Sequence, residues 1–221
     1  GDGRPGRGDR RLDLGEARAR FAEARGRRPD PALRAWGPGR VDVTDAGLGN
    51  PTAIPDLWSL GEARWLNHSG VIQVTRRSTL AVRFETQYIL GHRMTRRPPR
   101  ALMWALARYV TALSPPASSA PEAPAGQAQF ETRCSGCHPA AQAFGGVLVP
   151  AAQISSDPSV ATDPERGTGH YRSPRLIGVA GNAPYLHDGS QPDLASLLAV
   201  HPQPGSPAAD RAALIDYLNT L

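Results

Sequence analysis

The only thiols of this 221-residue chain are Cys134 and Cys137, set three residues apart in the stretch RCSGCHP, with His138 directly after the second. On a helical turn, positions i, i+3 and i+4 share one face, so this spacing gathers two sulfurs and an imidazole on one side of the backbone. Few chemistries use that set. A thioredoxin-like redox pair would follow a strand in a βαβ unit, whereas the flanking GQAQFETR reads as helix. A zinc site would have to recruit two more ligands from elsewhere in the chain. A disulfide between residues this close would close a small, strained loop. The pattern C-x-x-C-H is that of c-type haem attachment, in which both thiols form thioethers to the porphyrin and the imidazole binds its iron.

Covalent haem constrains the rest of the molecule. Attachment takes place outside the bacterial cytoplasm, so the expected location is periplasmic or otherwise exported. The expected fold is all-α, with short helices around a flat cofactor and long irregular connections such as residues 144–169. The 23 glycines and 22 prolines suit such connections. No apolar run reaches the length that spans a bilayer as a helix. The first residue is glycine, and the expectation is a processed chain or a fragment.

Charge and punctuation divide the chain in two. Residues 1–113 carry 20 arginines against 11 acids, net +9, and residues 114–221 carry 5 against 9, net −4. All 25 basic residues are arginine. A basic half can serve nucleic acid or an acidic partner, but no nucleic-acid module accompanies it. Pairs such as Glu16/Arg20 and Glu23/Arg27 read instead as solvated helix faces. Between the halves runs SPPASSAPEAPAG, residues 114–126, which reads as a semi-extended Pro/Ala-rich linker. The expected organisation is therefore residues 1–113, a linker at 114–126, and a haem domain at 127–221.

The halves echo each other. ALARYVTAL (residues 105–113) and ALIDYLNTL (residues 213–221) agree at their Ala, Leu, Tyr and final Leu, with helical apolar spacing in both. IPDLWSLGEARWLNHSG (54–70) resembles SPRLIGVAGNAPYLHDG (173–189). With one residue of slippage, this alignment sets Trp65 against Tyr185 and Leu66 against Leu186. Two echoes in the same order predict two related domains, each closed by a helix.

YRSPRLIGVAGNAPYLHDGSQPDLASLLAVH, C-terminal to CSGCH, resembles the C-terminal haem domain of bacterial dihaem cytochrome c peroxidases and MauG-like proteins. The likeness covers about residues 126–221, and APYLHDGS is its distinctive part. It implies two cytochrome-c-like domains. That family carries two C-x-x-C-H motifs and this chain one, so either a motif preceding Gly1 is missing or the first domain is degenerate; the expectation here is the former. In the peroxidases the C-terminal haem usually takes a methionine after HDG. Here both methionines, Met94 and Met103, lie in the first half, and His201 falls where that methionine aligns. His/His ligation would lower the haem potential relative to His/Met.

The resulting site expectation is Cys134 and Cys137 as anchors and His138 and His201 on iron. Arg172 and Arg175 are candidates for the propionates, and Tyr185 for packing on haem. His68, His92 and Met94 are undistinguished candidates for a second haem in the intact protein, and calcium between domains stays open. Asp163, Glu165 and His170 could form an acid–base group. The expected function is electron transfer with redox partner proteins. The alternative is a peroxidase-like enzyme, and no nucleic-acid partner is expected.

Overall fold

The computed structural model describes residues 12–42, 50–91, 94–115, 117–201 and 207–221. Its helices are α1 (Leu14–Ala24), α2 (Ala32–Ala35), α3 (Ser78–Gly91), α4 (Arg100–Thr111), α5 (Pro124–Arg133), α6 (Leu194–Val200) and α7 (Ala208–Thr220). Short strands pair antiparallel as β1 (Arg40–Val41) with β2 (Thr52–Ala53), β3 (Trp65–Leu66) with β4 (Ile72–Gln73), and β5 (Leu148–Pro150) with β6 (His170–Arg172). The chain is mostly helical, as expected, but it is not all-α. Pairs of two or three residues are too short to leave an alternating pattern in the sequence.

The chain groups into two compact units, each drawing on both halves of the sequence. The first comprises residues 1–56 and 180–201. Asp13 caps α1 by accepting the Glu16 N–H at 2.8 Å. Ala19, Leu33 and Trp36 form a buried cluster with Val41 against it. Gly15 permits the close approach, because a Cβ there would lie 1.9 Å from the Leu33 carbonyl oxygen. Glu16 pairs with Arg20 as expected, while Glu23 accepts from Arg34 on α2.

The second unit comprises residues 57–179 and 202–221. Helices α3 and α4 meet through Leu80, Ala81, Met103, Ala107 and Val110. Helix α5 starts at Pro124, whose missing N–H costs nothing in a first turn, so the last three residues of the expected linker are helical. It crosses α7 at Gly126, where a Cβ would stand 2.0 Å from the Ala213 carbonyl oxygen and 2.7 Å from Tyr217 Cβ. Beyond the crossing, Phe130 stacks obliquely on Tyr217, with centroids 5.3 Å apart.

The echo between residues 54–70 and 173–189 is present in the backbone, but without the expected slip. Left-handed residues recur at a constant spacing of 119: Ser59 and Gly178, Asn67 and Leu186, Gly70 and Gly189. The pairing recurs too, Leu66 opposite Ile72 and Tyr185 opposite Gln191. Leu66 therefore corresponds to Tyr185, Trp65 to Pro184, and His68 to His187. The slipped alignment matched aromatic to aromatic, whereas the turn conserves backbone angles. The helix echo fares differently. Helix α7 buries Leu214, Tyr217 and Leu218, but α4 leaves Leu106 and Tyr109 exposed because it turns Met103, Ala107 and Val110 toward α3.

Candidate haem-attachment site

Helix α5 delivers the motif. It ends at Arg133, and the chain turns tightly, with the N–H groups of Cys137 and His138 donating to the Cys134 carbonyl at 3.1 and 2.8 Å. Both thiols are reduced, Cys134 half-buried and Cys137 exposed, so each can be reached by a reactant from outside. His138 is buried at 7% exposure. Its ring lies beside Phe130, centroids 6.4 Å apart, and Phe130 also meets Phe144 edge-on at 5.7 Å. These aromatics fix where the imidazole points.

The protonation pattern of His138 suits a metal ligand. Its Nδ1 lies 2.7 Å from the Phe144 carbonyl oxygen, which can only accept, so Nδ1 carries the proton and the neutral ring has its lone pair on Nε2. A metal-binding histidine is ordinarily oriented by such a bond from its other nitrogen. Burial pushes the imidazole below the ordinary histidine range, against the carbonyls of Phe144 and Pro174, which pull the other way. Neutral imidazole, two reduced thiols and their spacing fit a haem c.

The loop after the motif is pinned to the segment that carries the two candidate arginines. Gly146 N–H donates to the Ser173 carbonyl at 2.9 Å, Ser173 N–H to the Val147 carbonyl at 2.8 Å, and Leu176 N–H to the Ala143 carbonyl at 3.2 Å. At Gly145 the backbones approach so closely that a Cβ would lie 2.4 Å from the Pro174 carbonyl oxygen. Arg175 is thereby held in the motif's own unit, buried, its Nε donating to the Trp58 carbonyl at 3.1 Å. Arg172, half-buried on β6, donates from Nε to the Asn67 carbonyl at 3.2 Å.

Tyr185 and His201 belong to the other unit. Tyr185 is buried, paired with Gln191. His201 is half-buried and caps α6, its N–H donating to the Leu197 carbonyl at 2.7 Å. Of the other candidates, His68 is half-buried with its carbonyl accepting the Arg172 N–H at 2.8 Å, Met94 is exposed, and His92 lies outside the described residues. Among the described residues no group of three or more His, Cys, Asp or Glu is placed to hold a metal ion, calcium included. Two of the three acid–base candidates are engaged locally. Asp163 accepts the N–H groups of Glu165 and Arg166 at 2.9 and 2.8 Å, and His170 Nδ1 donates to the Thr168 carbonyl at 2.8 Å. Phe130, which precedes the motif, carries no distinguishing signal in the sequence, and neither Phe144 nor Gly145 is among the residues expected above. An aromatic and a glycine following CHP at fixed distance were the available signal.

No family model matches the chain, and no curated protein matches it. Its structure is similar to that of a MauG-like protein associated with microbial copper homeostasis, at 17% identity and a TM-score of 0.60, covering 86% of this chain and 80% of that one. The chain has a MauG-like fold. It is also similar to hydrazine synthase of Kuenenia stuttgartiensis, at 17% identity and a TM-score of 0.56, covering 86% of this chain and 78% of that one. Identity this low speaks to the MauG-like fold alone. Among the described residues no helix is long and apolar enough to cross a membrane.

Proposed function

We propose that this chain is an exported c-type cytochrome that carries electrons between redox partner proteins. The observation that carries the reading is His138: buried, with Nδ1–H fixed on the Phe144 carbonyl, one turn from two reduced thiols. Cys134 and Cys137 would anchor the haem and His138 would bind its iron. Bound there, the group supplies a one-electron couple. The protein's own contribution is to hold His138 in one tautomer and one orientation through Phe144 and Phe130. Arg172 and Arg175 would compensate the propionate charge, for which a guanidinium fork is suited. The fold resemblance supports a haem-linked redox role. Electron transfer is preferred to peroxide chemistry because it asks no more of the chain than the two thiols and the oriented imidazole of the motif.

The test is expression alongside a cytochrome c maturation system. The expected product keeps haem through denaturing electrophoresis, gives a low-spin ferric spectrum and does not turn over peroxide. Cys134→Ser/Cys137→Ser should lose covalent haem completely. A wild-type protein without covalent haem would overturn the proposal. A high-spin spectrum that shifts with peroxide would transfer it to the peroxidase-like enzyme, and the ferric spectrum of His201→Ala reports on that residue as a ligand.

A further inference from the structure

The backbone repeat extends upstream of the segment visible in sequence, and it reaches the attachment motif. Strand pairs β1/β2 and β5/β6 share one register: Arg40 opposite Ala53 and Val41 opposite Thr52, as Leu148 is opposite Arg172 and Val149 opposite Tyr171. The bonds flanking them recur. Ile54 N–H donates to the Gly39 carbonyl at 2.9 Å and Ser173 N–H to the Val147 carbonyl at 2.8 Å. Ala53 N–H donates to the His187 carbonyl at 2.7 Å and Arg172 N–H to the His68 carbonyl at 2.8 Å. The same register holds for what a Cβ would meet at Gly189, Arg40 and Pro184, and at Gly70, Leu148 and Trp65.

Followed backward from Arg40 and Leu148, this register aligns DPALRAWG (residues 30–37) with HPAAQAFG (residues 138–145), identical at the proline, two alanines and the glycine, with Trp36 opposite Phe144. It continues into the preceding helix, where Arg27 N–H donates to the Ala22 carbonyl at 2.9 Å and Ser135 N–H to the Phe130 carbonyl at 3.1 Å. Gly26, Pro29 and Asp30 then stand where Cys134, Cys137 and His138 stand in the second repeat. This position lies inside the chain, so its assignment is independent of anything preceding Gly1.

The residues there do not fit a haem. The stretch supplies no thiol and no imidazole. Gly26 sits in the left-handed region at φ 67, whereas Cys134 has φ −113. The Asp30 carboxylate accepts the Ala32 N–H at 2.8 Å, closing its own turn. The space is also closed differently. Trp36 is 1% exposed and packs with Ala19 and Leu33, with the Arg18 guanidinium 5.2 Å above its ring. Opposite Leu33 the second repeat has Ala141, which is exposed.

We infer that the N-terminal repeat is a cytochrome-like domain without haem, its attachment position occupied by Gly26–Asp30 and its core closed by Trp36. It acts as scaffold, its Ala53 N–H and Arg40 side chain bracing the Pro184–Gly189 turn of its own unit. The inference rests on the function proposed above, and the two can fail separately. The experiment uses the full matured protein: iron per chain is measured, then haem not covalently held is extracted with acidified acetone. One iron per chain and no extractable haem is the expected result. Two irons per chain, or extractable haem held by groups such as His68 or Met94, would overturn the inference. The same extraction on Cys134→Ser/Cys137→Ser/His138→Ala should yield none, and haem retained there would overturn it too. A wild-type protein with no haem at all would sink the proposed function while agreeing with an empty N-terminal repeat.

Discussion

The turns after α1 and α5 start from one backbone plan and end in different chemistry. After α5, a half-buried cysteine, an exposed cysteine and a buried histidine face a shared neighbourhood, and a partly exposed Phe144 completes it. After α1, exposed Gly26 and Asp30 finish a tight turn, and the aromatic at Phe144's position has become a fully buried indole. On the inference drawn above, the difference is how a repeat would dispense with a cofactor. Large apolar side chains close the core within the repeat, and polar residues keep the turn.

Two aromatic truncations test this contrast and carry the largest expected effects. Phe130→Ala removes the ring that packs on His138, Phe144 and Tyr217, and Trp36→Ala removes the centre of the first core. Each should cost about 3–5 kcal/mol by denaturant unfolding. Only Phe130→Ala should also shift the absorbance of the proposed haem, since it frees the His138 imidazole to reorient. An equal spectral shift in Trp36→Ala would break the comparison, because Trp36 would then border the haem rather than replace it.

Much of the site was legible in sequence because it is local: C-x-x-C-H fixes three side chains through one turn of backbone. The helix feeding it was legible too, from GQAQFETR. What was not legible depends on contacts that carry no residue-type signature. The acceptor for His138 is a main-chain carbonyl, and any residue at 144 would offer one. The one-residue slip at Trp65 and Tyr185 came from matching side chains where positive φ angles hold the register. Leu106 and Tyr109 have the same spacing as Leu214 and Tyr217, yet a helix pattern does not say which neighbour it will meet. The first-repeat motif position was hidden for a related reason, since Gly26 and Asp30 share no chemistry with Cys134 and His138.

Helix crossings give an intermediate test. Gly126 and Gly15 are each the point of closest approach for the first helix of their repeat, against α7 and α2 respectively. The obstructing atom at both is a main-chain carbonyl oxygen, which cannot rotate away. Gly126→Ala and Gly15→Ala should each lose about 1–3 kcal/mol by overpacking. Because α5 carries the motif, Gly126→Ala should in addition lower the yield of covalent haem, whereas Gly15→Ala should leave it unchanged. Equal haem yields from both variants would mean that the α5–α7 crossing does not position the motif.

The smallest effect belongs to the ion pairs that join α1 to α2. Glu16 accepts from Arg20 Nε at 2.7 Å and from Arg34 Nε at 2.9 Å, and these bonds, Arg20's first and Arg34's next, hold its carboxyl below the usual glutamate range. A carboxyl whose folded pKa is depressed contributes stability above its unfolded pKa and loses it as pH falls through the folded one. Glu16→Gln should therefore unfold slightly more easily than wild type at neutral pH, and the two should converge in acid. All three side chains are substantially exposed, so solvent and salt screen the pairs and the neutral-pH difference should be close to the resolution of a thermal melt. A large loss at neutral pH would show that the first repeat relies on its α1–α2 ion pairs as much as on Trp36, and closure of its core by apolar side chains alone would no longer explain how it could stand without haem.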